Sequence, residues 1–334
     1  MRFDEFQAYR QRQLEEGAPG SLLDAAETNL YRALAAIRPE PPVGTHTVYR
    51  CDLARAWLRR FELPEEWSRR AMVSRGVRHG LGVVFRQLHD ERARLWLPSD
   101  VYPVYFELAH AAGLTPDAYP TLPAPVLPDA QAEDRPEYLL IANPTKPLGR
   151  CLSEAECDAL IAWLEGAPGR RLLIDAVYDL GAPFSAGTRR LLGTGRAILL
   201  HSVTKGWLWP RTFGVVLLGE GDAELAAAFR ENAPSQEQLR IAESLLGEHA
   251  GTPGRVADEL AVRAQRLLDR LPPELRAAIL EESLTSPGNY FFPVDIPAET
   301  LQRDYGVLAL PASVFGETAW QGSVLTSLSD TFGS

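Results

Sequence analysis

Ala197-Ile198-Leu199-Leu200-His201-Ser202-Val203-Thr204-Lys205-Gly206 is the stretch whose reading decides the fold. Four consecutive apolar residues form a strand buried on both faces, and a lysine follows just past its end. A lone lysine is ordinarily at the surface. This one stands between an apolar strand and Trp207-Leu208-Trp209. Partial burial and a lowered amine pKa are therefore expected. Two upstream runs have the same form. Arg171-Leu172-Leu173-Ile174 ends in Asp175, a carboxylate that is costly to bury unless paired, and Tyr138-Leu139-Leu140-Ile141-Ala142 runs into Asn143-Pro144. An amine, a carboxylate and an amide then lie outside the carboxyl ends of strands, where open α/β sheets bind their ligands.

Helical segments separate these strands. Apolar residues at helical spacing mark Asp52 to Phe61 and the run through Leu81, Val84, Phe85 and Leu88; Val104 to Ala112 also reads as a helix. Ser153 to Glu165 begins with Ser153 and Glu156, the two partners of a capping box. Met72-Val73, Leu95–Pro98 and Phe213–Leu218 are further strands. Strands with wholly apolar cores that alternate with helices predict a parallel or mostly parallel sheet covered on both faces. Residues 3–16 read as a polar helix, 39–47 as a linker, and the proline-rich stretch 115–136 as a loop or strand edge. After about residue 221 the pattern changes to three helices (222–231, 236–248 and 253–271) and two strands, Tyr290–Val294 and Val307–Leu310.

The 334 residues carry 46% hydrophobic and 23% charged side chains, an ordinary globular composition long enough for one large and one smaller domain. The net charge of -10 gives nucleic-acid binding no support, and the arginine pairs Arg59-Arg60 and Arg69-Arg70 read as solvated helix faces. Cys51, Cys151 and Cys157 lack metal-ligand spacing, so a reduced, cytoplasmic protein without a metal site is expected. The opening residues Met1–Glu5 are not read as a signal peptide, and the apolar runs are too short to span a bilayer, so no membrane partner is expected.

Taken together, Asn143-Pro144-Thr145-Lys146-Pro147-Leu148-Gly149, Asp175 with Tyr178, and Ser202 with Lys205 resemble, in that order, the Asn-Pro-x-x-Pro-x-Gly, Asp-x-x-Tyr and Ser-x-x-Lys motifs of the fold-type I pyridoxal phosphate (PLP) enzymes, specifically the class I/II aminotransferase family. The likeness runs from about Tyr49 to Gly219 and more faintly to Phe315-Gly316. The resemblance implies an α/β fold: a large domain, residues 45–220, with a mostly parallel sheet sandwiched by helices, and a smaller α+β domain from 1–44 and 221–334. It also implies roles. Lys205 would carry PLP as a Schiff base and move the proton at the substrate α-carbon. Asp175 would pair with the ring nitrogen, and Asn143 and Tyr178 would hydrogen-bond the ring oxygen. Gly76, Val77 and Ser202 would hold the phosphate; the turn Ser74-Arg75-Gly76-Val77 entering a helix suits an anion in its own right. Tyr102 would stack on the ring. Tyr49 would reach the phosphate of a neighbouring subunit, since the family works as a homodimer.

Two departures mark a divergent member. The family's arginine after the lysine has its counterpart in Arg211, but the loop Pro210-Arg211-Thr212-Phe213-Gly214 is one residue shorter. The arginine that clamps the substrate carboxylate in typical members falls at Leu325, and no Arg or Lys follows Arg303. Arg75, Arg78 or Arg240 could hold the carboxylate instead, or the substrate could be an amine without one. Transfer of an amino group from an amino acid or amine is the default reaction. The alternatives are elimination or replacement at the β- or γ-carbon, decarboxylation, or carbon–carbon bond formation, which share the same cofactor chemistry. A binding protein without turnover is disfavoured by the intact core motifs. A dinucleotide-binding protein is disfavoured because no Gly-x-Gly-x-x-Gly follows the first strand. Trp207 and Trp209 read as core or as pocket wall.

Overall fold

The computed structural model describes residues 2–16, 22–41, 44–101, 103–129 and 135–330. Its strands are β1 (Leu23–Ala25), β2 (Ala71–Ser74), β3 (Arg94–Pro98), β4 (Asp117–Tyr119), β5 (Glu137–Ala142), β6 (Arg170–Asp175), β7 (Ala197–Ser202), β8 (Gly214–Leu217), β9 (Phe291–Val294), β10 (Val307–Pro311) and β11 (Ser323–Thr326). Seven of them form one sheet in the order β2-β8-β7-β6-β5-β3-β4, and the other four form a second in the order β1-β10-β11-β9. In the large sheet β8 is antiparallel to both β2 and β7, while β3, β4, β5, β6 and β7 pair in parallel. The chain is thus α/β with a mostly parallel sheet.

The apolar runs behave as fully buried strands because helices cover both faces. Leu139, Ile141, Leu172, Ile174 and Leu199 pack to one side with Leu53, Trp57, Leu160, Leu239 and Leu245. Leu140, Leu173, Ile198 and Leu200 pack to the other with Leu81, Val84, Phe85 and Phe229. The alternation is the two-residue period of a strand, and each such leucine or isoleucine contributes about 1.5–3 kcal/mol of burial. The helices Ala223–Glu231 and Gln236–Leu246 lie beyond residue 220 in sequence, yet they supply Phe229, Leu239 and Leu245 to these two cores.

The capping box at Ser153 forms as expected, with Glu156 N–H donating to Ser153 Oγ and Ser153 N–H to Glu156. The proline-rich stretch supplies the edge strand β4, which pairs with β3, and residues 130–134 of it lie outside the described residues. Residues 42–43 of the expected linker also lie outside them. The N-terminal helix Phe3–Glu16 is tied to β1 by Arg10, whose guanidinium is bonded to both carboxylate oxygens of the buried Asp24.

Candidate active site

The carboxyl ends of β6 and β7 present the charged groups. Ser202, the last residue of β7, accepts the Thr204 N–H on its hydroxyl and starts the four-residue helical turn Val203–Gly206, and this turn carries Lys205. The Lys205 Nζ lies 5.1 Å from the centre of the Tyr178 ring and 5.3 Å from that of Tyr31. Burial works against its charge, but the hydroxyls of Tyr178 and Tyr31 outweigh it, and the ammonium is held above the ordinary lysine value. The lowered pKa expected from the sequence is therefore not what the fold gives: desolvation is present, and phenols the sequence reading did not count reverse its effect.

Asp175 ends β6 inside the fold. It accepts the Tyr105 hydroxyl at 2.6 Å and the Val177 N–H at 3.0 Å, which fixes both oxygens. Burial raises its pKa, while Tyr105, Val177 and the charge of Lys205 pull it down. No basic group lies within ion-pair distance of it among the described residues. A buried carboxylate held by neutral donors is the partner a protonated ring nitrogen requires, and it would offset much of the carboxylate's desolvation cost.

The third expected group behaves otherwise. Asn143 is fully buried at the end of β5. Its Nδ2 donates to Thr188 Oγ1 at 2.9 Å and to Ser185 Oγ at 3.2 Å, and its Oδ1 accepts the Leu152 N–H at 2.9 Å. Both amide hydrogens are spent within the fold, so the side chain braces the loop after β5 rather than standing free for a ring oxygen. Lys146 reaches the site from that same loop instead: its Nζ is 4.2 Å from the centre of the Tyr178 ring. Tyr178 joins the two sheets, its hydroxyl 2.9 Å from that of Tyr290 just ahead of β9.

The anion cradle lies at the β2, β7 and β8 rim. Ser74 and Ser202 both pair with Gly214. Gly76 has φ +113, and a Cβ added there would stand 3.8 Å from Thr204 Oγ1 and 3.9 Å from the Ser202 Cβ. It precedes the 14-residue helix Val77–Asp90 and gives it no side-chain cap. Gly76 and Ser202 thus lie side by side at the start of this helix, and the Gly76 N–H donates to Ser74 Oγ at 3.3 Å. Arg211 is exposed on a turn with φ 60, its carbonyl accepting from Gln238 Nε2. Its side chain has no ion pair among the described residues.

Tyr102 lies outside the described residues. Its flank is anchored: Asp100 accepts the backbone N–H groups of Thr121 and Leu122, and Gly316 packs on the Ser99 carbonyl. Tyr49 is 64% exposed at the start of the helix Arg50–Arg60, in a groove with Asp52, Arg59 and Glu243. Trp207 is core, its indole N–H donating to the Leu245 carbonyl at 2.6 Å, and Trp209 is partly buried against the same core. Leu325 is buried among Leu267, Leu301 and Val307, whereas its neighbour Val324 packs with Tyr290 and Phe291. The face of β11 that turns toward the site is thus set by Val324, and no residue of the strand is basic.

Sequence reasoning missed Tyr31, Tyr105, Lys146 and Tyr290. Lys146 had a signal, since it lies inside the quoted motif between a strand end and Pro147. Tyr31 and Tyr290 had none, because they reach the site only through the packing of remote segments.

The sequence profile described as aminotransferase class I and II matches residues 22–324. No curated protein matches the chain. Among solved structures, an aspartate aminotransferase double mutant from Thermus thermophilus is similar over 97% of this chain and 91% of its own, with 18% identity and a TM-score of 0.67. Substrate-bound BacF from Bacillus subtilis is similar over 98% and 92%, with 17% identity and a TM-score of 0.65. YbdL from Escherichia coli, with a methionine aminotransferase function, covers 99% and 93% at 17% identity and a TM-score of 0.64. A fold shared over nearly the whole length, and a family profile spanning both sheets, place this chain in the class I and II aminotransferases, PLP-dependent transferases of fold type I.

Proposed function

We propose that this chain transfers the amino group of an amino acid or amine to an acceptor, with PLP attached at Lys205. When bound, PLP supplies an electron sink for the bond that breaks at the α-carbon. The residues present fit it. Asp175, kept rigid by Tyr105 and Val177, would hold a proton at the ring nitrogen. Tyr178, whose hydroxyl bonds to Lys205, would hydrogen-bond the ring oxygen. Gly76, Val77, Ser202 and Arg211 would hold the phosphate. Tyr102, outside the described residues, would be the side chain to stack on the ring. Lys205 Nζ would hold and move the proton at the substrate α-carbon, a general acid–base role that typically contributes about 10²–10⁴-fold. The shell of Tyr31, Tyr178, Tyr290 and Phe291 excludes water from this transfer.

We infer that the working form is a homodimer. Tyr49, exposed beside a groove, suits a contact with the second subunit's phosphate. Three free thiols fit the cytoplasm. The observation that carries the functional reading is the presence of Lys205 and Asp175, at the ends of adjacent strands, in one buried site bounded by Tyr178.

One feature favours a second reading. The site-facing stretch of β11 has no arginine, and a chain that has lost its carboxylate fork could instead perform elimination, replacement, decarboxylation or carbon–carbon bond formation. The deciding experiment mixes the PLP-loaded protein with a panel of amino acids and nucleoside-linked amines and records absorbance. Conversion of the cofactor to its aminated form, with release of the 2-oxo product, supports transfer. Release of ammonia, carbon dioxide or another leaving group, with the aldehyde form regenerated, would replace it by the second reading.

A further inference from the structure

Lys146 is the basic residue of this site that the functional reading leaves unused. Its Nζ lies 4.2 Å from the centre of the Tyr178 ring, 4.5 Å from Phe291 and 5.2 Å from Tyr290. Three aromatic faces around one nitrogen accommodate a cation. Its hydrogen bond goes to Asn289 Oδ1 at 3.2 Å, a neutral acceptor. Asn289 is locked in that orientation: its Nδ2 donates to the Ser283 and Phe291 carbonyls, and its Oδ1 also accepts the Phe291 N–H. An ammonium has three donors, so the amide orients Lys146 without neutralising it. Burial, and then the charge of Lys205, push the amine well below the ordinary lysine value, so its charged form needs an anion beside it.

Other cations are placed less well. Arg240 donates to the His46 carbonyl on an outer face. Arg75 is exposed on the turn ahead of Gly76. The charge of Arg78 reaches Lys205, but Arg78 stands on the first turn of Val77–Asp90, at the phosphate cradle. Lys146 alone of the four stands beside Tyr178 at the junction with β9, and across that junction the face of β11 is apolar.

We propose that Lys146 receives the carboxylate of the substrate, in place of an arginine on β11, which makes the substrate an amino acid and its product a 2-oxo acid rather than a simple amine and its aldehyde. The inference rests on the PLP reading above. A lysine is a point charge rather than a fork. It selects for a carboxylate while leaving the plane of that group to the rings around it.

The test uses full-length, PLP-loaded protein and two unreactive probes with one carbon skeleton, 3-phenylpropanoate and 3-phenylpropanamide, with binding followed by calorimetry and by the cofactor absorbance. Wild type should bind the carboxylate about tenfold to a hundredfold more tightly than the amide, the range for a hydrogen bond to a charged group. Lys146→Met should bring that ratio near one, and Lys146→Arg should restore most of it. An unchanged ratio in Lys146→Met, or no preference in the wild type, overturns the proposal. A variant that is merely destabilised weakens both probes together and keeps the ratio, which also counts against it. Borohydride treatment separates the two levels: wild type that traps no PLP on Lys205 sinks the functional reading, whereas normal trapping with an unchanged ratio sinks the role of Lys146 alone.

Discussion

The rim of the large sheet and the β9–β11 side of the small one meet at one site with opposite contents. The rim presents an amine and a carboxylate just past or at adjacent strand ends, the carboxylate fixed by Tyr105 and Val177 and the lysine's turn started by Ser202. The other side presents Tyr290, Phe291 and Val324, with an amide, Asn289, whose own partners are all backbone groups and Lys146. Electrostatic work is thus confined to the rim, where preorganised groups are most effective. The small-sheet side contributes shape, dryness and the Asn289 amide that orients Lys146. Substitutions on the two sides should accordingly fail in different ways: the rim in chemistry, the junction in assembly and selectivity.

The largest effect is expected at Lys205. Lys205→Ala should lower amino-group transfer by at least about 10²–10⁴-fold, while mass spectrometry after borohydride shows no cofactor adduct on the chain. Asp175→Asn should cost about 10²–10³-fold in kcat, a loss typical of one preorganised electrostatic partner. Its stability should move the other way in the cofactor-free protein. Burial holds the Asp175 carboxyl above its ordinary value. Such a group favours the folded state below its unfolded pKa of about 3.9, and that contribution is lost as pH rises through the higher folded value. At pH 7 cofactor-free Asp175→Asn should therefore melt no lower than the wild type. A lower melting temperature would show that the carboxylate has a stabilising partner.

The junction is tested at Gly149. It has φ +69, and an added Cβ would lie 2.3 Å from the Phe291 carbonyl and 2.4 Å from the Asn289 amide. Gly149→Ala should cost about 1–3 kcal/mol in urea unfolding and loosen the bond between Asn289 and Lys146. Unchanged stability would mean that the two sheets do not meet as described. The smallest effect lies behind the rim. His201 of β7 is buried against Phe61 and Phe184 and accepts the Trp57 indole N–H at 3.1 Å. Burial, then Arg60, lowers its pKa from 6.5 to about 3. The unfolded chain binds this proton first, so stability should fall as pH drops from about 6.5 toward 3, by at most about 1.4 kcal/mol per pH unit. Thermal melts of His201→Phe should show a shallower acid slope.

Much of the rim was legible because its signals are local. Leu139–Ala142, Leu172–Ile174 and Ile198–Leu200 are unbroken apolar runs, and the polar residue that ends each is visible without a partner. The junction was not legible, because its contacts span the chain. β1 is three residues long and includes Asp24, a poor strand former, yet it pairs with Val307–Ala309 because Arg10 and Ser329 satisfy that carboxylate. Tyr31 and Tyr290 come to Lys205 and Tyr178 from opposite ends of the chain. The partners of the motif asparagine were not legible either: the amide sits at the expected strand end, but Ser185, Thr188 and Leu152, none adjacent in sequence, share its hydrogen bonds. Leu325 shows the cost of a one-residue shift in a strand, which moves a side chain to the opposite face.

The reversed direction of β8 fixes the reach of the lysine. Because β8 runs against its neighbours, its first residue, Gly214, stands level with the last residues of β2 and β7. The segment between Ser202 and Gly214 therefore leaves and re-enters the sheet at one edge, with both feet clamped by ladder bonds. An insertion or deletion past Gly206 falls in the crest and not in the turn that carries Lys205. The shortened stretch at Pro210–Thr212 can retract Arg211 without altering the offset between the reactive amine and the anion cradle. Evolution is thus free to edit that crest, and with it the grip on the cofactor's tail, while the chemistry at its base stays in place.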